Sequence, residues 1–309
     1  MRINTFTTVS DKNYLDRGLA LYESLLSTLE YKSGPPQTRK RKRKKKVYFF
    51  RLYYLCLDDK TFNTIRRIKD ERLVPLHVRD EFRGNKDFET LVKNNRSRPL
   101  GYSDFHFALG SFFTQHIMEK VSPELILYVD SDIVFYLSPN LVGEAMEGKS
   151  IGIILHRHVK VGHHVGGYNV GIICFRNNET GRNCLKWWRD VVMDKSNPWF
   201  RKYGKVGDQK YLELFEEMFG DVKVLDDNIG HGAPWNLRLY KYFKDPTIIQ
   251  WKGKVQPLVF VHFSHFNLAN TKRGYKVARK REWSLYPPAI RYYDGYYRTL
   301  LDVRKRYKL

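Results

Sequence analysis

Two spacings of apolar residues alternate along the chain. Short runs rich in apolar and β-branched residues predict strands over 3–9, 47–57, 73–78, 125–129, 150–155, 168–175 and 258–263. Between them, three- and four-residue spacing predicts helices. Leu15, Leu19, Tyr22, Leu25 and Leu26 line one face of a helix over 13–29, with Asp11 as its cap. Residues 105–118, 179–193 and 209–219 read as further helices, and the Tyr- and Arg-rich tail from Tyr286 as a helix packed on the outside. Alternation of this kind predicts an α/β fold, a mostly parallel sheet covered by helices. The 309 residues allow one large domain or two small ones.

Composition narrows the class. Apolar residues make up 42% and aromatics 15%, enough for a substantial core, which excludes disorder as the default. No apolar run approaches the ~18–20 residues of a membrane-spanning helix, and residues 1–8 lack the apolar stretch of a secretory signal. Cys56, Cys174 and Cys184 form neither a CxxC pair nor an even set. Cys56 and Cys174 sit in strand-like runs and read as reduced core thiols, so the expected compartment is reducing and cytoplasmic.

The net charge of +22 raises a nucleic-acid reading, and its distribution argues against it. Residues 39–46 carry eight positive charges, 272–281 carry six and 304–308 carry four, with no acid among them. Without these segments 37 basic residues face 33 acidic ones. The body is nearly neutral, whereas a groove-binding protein spreads its charge over a folded face. No specific nucleic acid is therefore expected. Residues 32–46, a Gly-Pro-Pro turn followed by the first basic tract, read as a solvated insertion suited to peripheral contact with an anionic membrane.

The richest stretch in chemistry is Leu125-Ile-Leu-Tyr-Val-Asp130-Ser131-Asp132. A buried strand delivers two carboxylates at its carboxyl end, and in extended chain residues two apart face the same way. Carboxylate oxygens suit Mg²⁺ or Mn²⁺, and the carboxyl ends of parallel strands are where α/β folds bind ligands. With 19 aspartates, about one Asp-x-Asp arises by chance, so the placement carries the weight. The competing reading is a turn in which both carboxylates cap backbone amides. His156, His158, His163 and His164 cluster in a Gly-containing loop without zinc spacing and read as a loop over the site.

The surrounding blocks are Phe6-Thr7-Thr8, Asn13-Tyr14-Leu15-Asp16-Arg17-Gly18, Leu55-Cys56-Leu57-Asp58-Asp59, Asn95-Arg96-Ser97, Tyr168-Asn169-Val170-Gly171, Gly207-Asp208-Gln209, Ala233-Pro234-Trp235-Asn236 and Val261-His262-Phe263. In this order the chain resembles the GT-A nucleotide-diphospho-sugar transferases, above all the glycogenin-like group and bacterial relatives of polysaccharide synthesis. The resemblance implies a single GT-A (Rossmann-like) domain over 1–267, carrying the insertion at 32–46, and a basic, Tyr-rich extension over 268–309. It implies a glycosyltransferase that moves a hexose from a nucleotide-diphosphate sugar, a UDP-sugar, to a glycan or lipid-linked acceptor, with retention.

Residue by residue, the resemblance places Thr7, Thr8, Asp11 and Tyr14 at the base and ribose, and Arg96 over the diphosphate or donor sugar. Asp130, Ser131 and Asp132 fall at the metal–diphosphate, with His262 completing the metal ligands. Asn169 falls near the donor sugar, and Asp208 with Gln209 beside the anomeric carbon. The family's Gly and Lys-Pro-Trp after the histidine are missing. Ser264-His265-Phe266-Asn267 follows instead, leaving Lys272 or Arg273 as substitutes for the lysine and His265 as an alternative ligand. An imidazole ligand favours Mn²⁺ over Mg²⁺. Taken alone, Asp208 reads equally as a carboxylate at a helix start, and Trp235 as a buried ring or an acceptor platform. A sugar nucleotidyltransferase is the alternative enzyme, but it calls for a Gly-rich phosphate loop, and residues 7–11 contain no glycine. A nucleic-acid-binding protein using the basic tracts is the alternative outside enzymes.

Overall fold

The computed structural model describes residues 2–31, 46–47, 49–96, 101–157, 163–194, 196–203, 207–277 and 286–309. Its centre is a seven-stranded sheet. In spatial order the strands are Val222–Val224, Ile151–Leu155, Tyr168–Arg176, Leu125–Val129, Thr5–Ser10, Arg51–Cys56 and Leu73–His77. Tyr168–Arg176 runs against both neighbours, and the other pairings are parallel. The predicted α/β fold is thus the observed one.

Both faces of the sheet are buried, which is why its strands read as near-continuous apolar runs. Strand alternation divides them. Leu52, Tyr54, Cys56, Leu125, Leu127 and Val129 enter one core, and Tyr53, Leu55 and Ile126 the other. The first core is covered by the helix Leu15–Leu29, against which the helix Ile290–Tyr307 packs. The second is covered by the helices Gly101–Val121 and Glu179–Met193. Gly18 is a requirement of the first interface: a Cβ there would lie 1.9 Å from the Tyr54 hydroxyl, which donates to Ser10 Oγ at 2.8 Å. All three cysteines are buried and free.

The strand predicted at 258–263 lies outside this sheet. As Lys254–His262 it centres a second one, parallel to Gly230–Gly232 and antiparallel to Ile248–Trp251 and Ile133–Phe135. The helix predicted at 209–219 is a 3₁₀ segment, Gln209–Leu214, followed by a short α-helix, Phe215–Phe219. Tyr211, Leu212, Leu214 and Phe215 are all buried, and three residues per turn places 211 above 214 and 212 above 215. The insertion, apart from the backbone of Lys46, lies outside the described residues; the strands at its ends, Glu30–Tyr31 and Lys46–Val47, pair antiparallel. No described helix is long and apolar enough to cross a membrane.

The tail forms a helix that enters the core. Tyr292, Tyr293, Tyr296, Leu300 and Val303 are buried in the first core, and the Tyr296 ring stacks on Phe263 at 3.9 Å between centroids. Tyr296→Ala should therefore lower stability by about 3–5 kcal/mol in urea unfolding. A loss below about 1 kcal/mol, the range of surface substitutions, would mean the ring is not seated in the core.

Candidate active site

The strand Leu125–Val129 ends in a turn that joins the two sheets. The Asp130 amide donates to the Gly171 carbonyl at 2.9 Å, and the Ile133 amide to the Asp130 carbonyl at 3.2 Å. The chain then enters the second sheet, where Ile133 lies opposite His262 and the Phe263 amide donates to the Asp132 carbonyl at 2.8 Å. This register brings an imidazole to the two carboxylates. His262 Nε2 lies 3.0 Å from Asp132 Oδ1 and 3.6 Å from Asp130 Oδ2. Ligand atoms of the three side chains all fall within 4.8 Å of one another, the one such cluster among the described residues.

Electrostatics ties the three together. Burial pushes Asp130 up to about 6, with the Asp132 charge adding to it and the His262 imidazole and the Tyr128 hydroxyl opposing. That hydroxyl donates to Asp130 Oδ1 at 2.7 Å. Burial would raise Asp132 too, but His262 and, more weakly, Arg17 hold it below the usual carboxylate range. For His262, burial disfavours the proton and the two carboxylates outweigh it, raising its pKa. Two carboxylates at this distance call for a positive charge between them. Their oxygens with one imidazole nitrogen make a donor set that fits a divalent cation. Gly171 closes the back of the cluster: a Cβ there would meet Asn169 Oδ1 at 2.6 Å and His262 Nδ1 at 2.7 Å.

Three polar residues of the sequence reading gather beside the cluster. Asn169 Oδ1 accepts from the Gly171 amide at 2.9 Å and lies 3.4 Å from His262 Nδ1, while Asn169 Nδ2 donates to Gln209 Oε1 at 3.0 Å. Gln209 Nε2 donates to the Val165 carbonyl at 2.6 Å. Asp208 is 3% exposed, and its side chain makes no capping bond to the 3₁₀ segment it precedes. Burial, aided by the Asp130 charge, raises its pKa well above the carboxylate range. His156, buried, places Nε2 3.5 Å from Asn169 Nδ2, and Trp235 sits edge-on to both His156 and His262, at 5.2 and 5.6 Å.

On the other side, Asp11 Oδ1 accepts from the amides of Asn13 and Tyr14 at 2.9 and 3.3 Å, just ahead of the helix Leu15–Leu29. Tyr14 is 41% exposed, and burial of its hydroxyl together with the Asp132 and Asp130 charges raises its pKa. Thr7 and Thr8 lie in the strand Thr5–Ser10, which pairs beside Leu125–Val129. Both are 0% exposed within the strand, where Thr7 Oγ1 shares a 2.8 Å hydrogen bond with Thr114 Oγ1. Ser131 is buried between the two aspartates in sequence. The Arg96 side chain and His158 lie outside the described residues. His265 is exposed at φ +60° and is not in the cluster, and Arg273 faces Asp294 at 3.5 Å.

Sequence reasoning missed two supports. Arg17 lies with its guanidinium 4.3 Å over the Tyr14 ring and donates to the carbonyls of Asn13 and Phe266 at 2.7 and 2.8 Å. Helical spacing from Tyr14 was a usable signal for it. Asp226 had no such signal. Its carboxylate accepts from the Leu155 amide at 2.7 Å and from Arg157 Nε at 2.5 Å, so it grips both neighbours of His156, and it lies 3.1 Å from His231 Nε2.

Three comparisons bear on this geometry. No family model matches the chain. Mouse xyloside xylosyltransferase 1, in its apo form, superposes with a TM-score of 0.52 over 84% of this chain and 97% of that one, at 14% identity. The fold is that of the GT-A glycosyltransferases. By sequence, the chain is 28% identical over 239 residues to the uncharacterized protein YfnF of Bacillus subtilis strain 168, across 71% of this chain and 73% of that protein. It is 27% identical over 242 residues to YfnD of the same strain, across 72% and 71%.

Because burial, with the Arg157 charge, holds His231 below the ordinary imidazole value of 6.5 despite Asp226, the folded protein keeps this ring neutral where the unfolded chain protonates it. The unfolded state then binds more protons, so stability is full above pH 6.5 and falls as the pH drops below it. His231→Gln should flatten the stability slope below pH 6.5, read by urea unfolding across pH. An unchanged slope would remove His231 as its source.

Proposed function

We propose that the protein is a metal-dependent glycosyltransferase that moves a hexose from a UDP-sugar to a glycan or lipid-linked acceptor, with retention at the sugar carbon. The observation that carries this reading is the Asp130–Asp132–His262 cluster at the carboxyl end of the central strand of a GT-A fold. These three side chains hold the cation, and the imidazole favours Mn²⁺ over Mg²⁺. When bound, the cation stabilises negative charge on the departing diphosphate.

The other roles belong to the chain's own residues. The half-exposed Tyr14 ring offers a stacking face for the base, and Asp11, fixed by two amides, orients the nucleoside. By the resemblance, Thr7 and Thr8 stand with them at the base and ribose, Arg96 at the diphosphate and Ser131 at the metal–diphosphate. Asn169 and Gln209 fix each other by a hydrogen bond and position sugar hydroxyls. Asp208 faces the reacting carbon. The enzyme works on the cytoplasmic side, with its basic segments drawn to anionic membrane.

A thermal-shift panel of nucleoside diphosphates with and without Mn²⁺ tests the reading. A ligand at 100 times its dissociation constant adds about 2.7 kcal/mol, and the shift is expected to be larger with the cation than without it. Asp132→Ala should abolish both the cation-dependent shift and transfer while the fold is retained. Undiminished transfer in chelator would overturn the metal role.

Asp208 decides the mechanism. Asp208→Asn keeps its shape and removes its capacity to ionise. With no cap bond to lose, stability should change little, whereas a carboxylate acting at the reacting carbon predicts a fall in turnover of about 10²–10⁴ with donor affinity retained. Turnover within about threefold of wild type would assign Asp208 no part in the chemistry.

A further inference from the structure

Arg17 also borders a cavity of about 320 Å³ that the proposed reaction does not use. Four cationic side chains line it, Lys12, Arg17, Lys60 and Arg304, against one acidic side chain, Asp16. Two of the cations are already engaged. Arg17 is bound to the carbonyls of Asn13 and Phe266, and Arg304 Nη1 lies 3.5 Å from Asp16 Oδ2. Lys12 and Lys60 have no side-chain partner among the described residues, yet the backbone fixes where they stand.

That placement runs through Asp58. Its Oδ2 accepts from the Lys12 amide at 2.6 Å, and its Oδ1 accepts from the Thr61 amide at 2.9 Å, capping the helix Asp59–Arg66. Lys60 sits in the first turn of that helix. One carboxylate therefore sets both lysines at the rim of the same cavity, and its own oxygens are occupied by Lys12, Thr61 and the Thr61 hydroxyl. Two ammonium groups without partners, with Arg304 and Asn267 lining the same cavity, form a recognition set for a multiply charged anion. Leu15 and Leu268 supply an apolar wall for carbon attached to it.

We propose that this cavity binds a phosphate group, as a phosphate ester or a diphosphate, without a metal and separately from the Asp130–Asp132–His262 cluster. The source of the group is either a soluble phosphate or a lipid headgroup, and both present the same chemistry to the lysines.

The test is calorimetric titration of the full chain with inorganic pyrophosphate in chelator. Wild type is expected to bind, and Lys12→Gln with Lys60→Gln to weaken binding at least tenfold. Asp132→Asn, which disables the metal cluster, is expected to keep wild-type affinity for pyrophosphate. Equal affinity in wild type and the double variant would overturn the proposal. So would loss of binding in Asp132→Asn, because the anion would then occupy the carboxylate cluster. Sedimentation with phosphatidylglycerol vesicles identifies the source. Adhesion that falls in the double variant assigns the site to a headgroup, and adhesion unchanged beside a lost pyrophosphate response assigns it to a soluble phosphate.

Discussion

The register between Ile133–Phe135 and Lys254–His262 is the constraint on which the site rests. It sets Ile133 opposite His262 and so lays the imidazole against Asp132. Two carboxylates about 4 Å apart near a protein surface repel by about 4 kcal/mol, so the turn that carries them is costly unless a positive charge lies between them. The two carboxylates favour a proton on His262 and the imidazole in turn lowers Asp132, so each side of the pair supports the charged form of the other. A divalent cation would supply the positive charge more strongly, with His262 then neutral and acting as a ligand. One register serves both states, and slipping it by a single residue would turn His262 to the other face of its sheet.

Much of the fold was legible in the sequence, and the limits have physical causes. Leu125–Val129 is buried on both faces and Glu179–Met193 keeps helical spacing between Asn178 and the next turn, so each was read at its observed bounds. The second sheet was not read as a separate body. Its strands Ile133–Phe135 and Gly230–Gly232 have three residues each, too few to establish a period, and they pair with a distant segment. At the site, Asp130 and Asp132 were legible from the strand that ends at them. His262 was reached through a resemblance, because nothing local distinguishes a ligand histidine from a core one. Thr7 and Thr8 came by the same route: in a strand buried on both faces, no period shows whether a polar residue faces a ligand or the core.

Asp226 shows how a residue with no local signal can govern a site. Nothing in Leu225-Asp226-Asp227 distinguishes the middle carboxylate, yet it holds the Leu155 amide and the Arg157 side chain on either side of His156. Arg157 takes a positive φ of 60° and lies with its guanidinium 4.2 Å over the Trp251 ring. A buried guanidinium is tolerated there because the carboxylate and the Ile229 carbonyl, at 2.8 Å, satisfy it. The strain and the buried charge have a common effect. They keep His156 beside Asn169 and Trp235, so the polar wall of the site is set from the turn at Leu225–Asp227 as well as from the strand that carries Asn169.

The same coupling extends to the tail. Phe263 follows His262 directly, and its ring is held between Phe266, Tyr293 and Tyr296. The amide of Phe263 donates to the Asp132 carbonyl while its side chain is locked in the core, so the residue joins the carboxylate turn to the helix Ile290–Tyr307. A ligand histidine on a free loop would lose conformational entropy each time it closed on a cation. Here that ordering is completed on folding, by burial of Tyr293 and Tyr296 against Phe263. The helix therefore contributes to the site without touching it, and changes to its buried face should be felt by the histidine through Phe263.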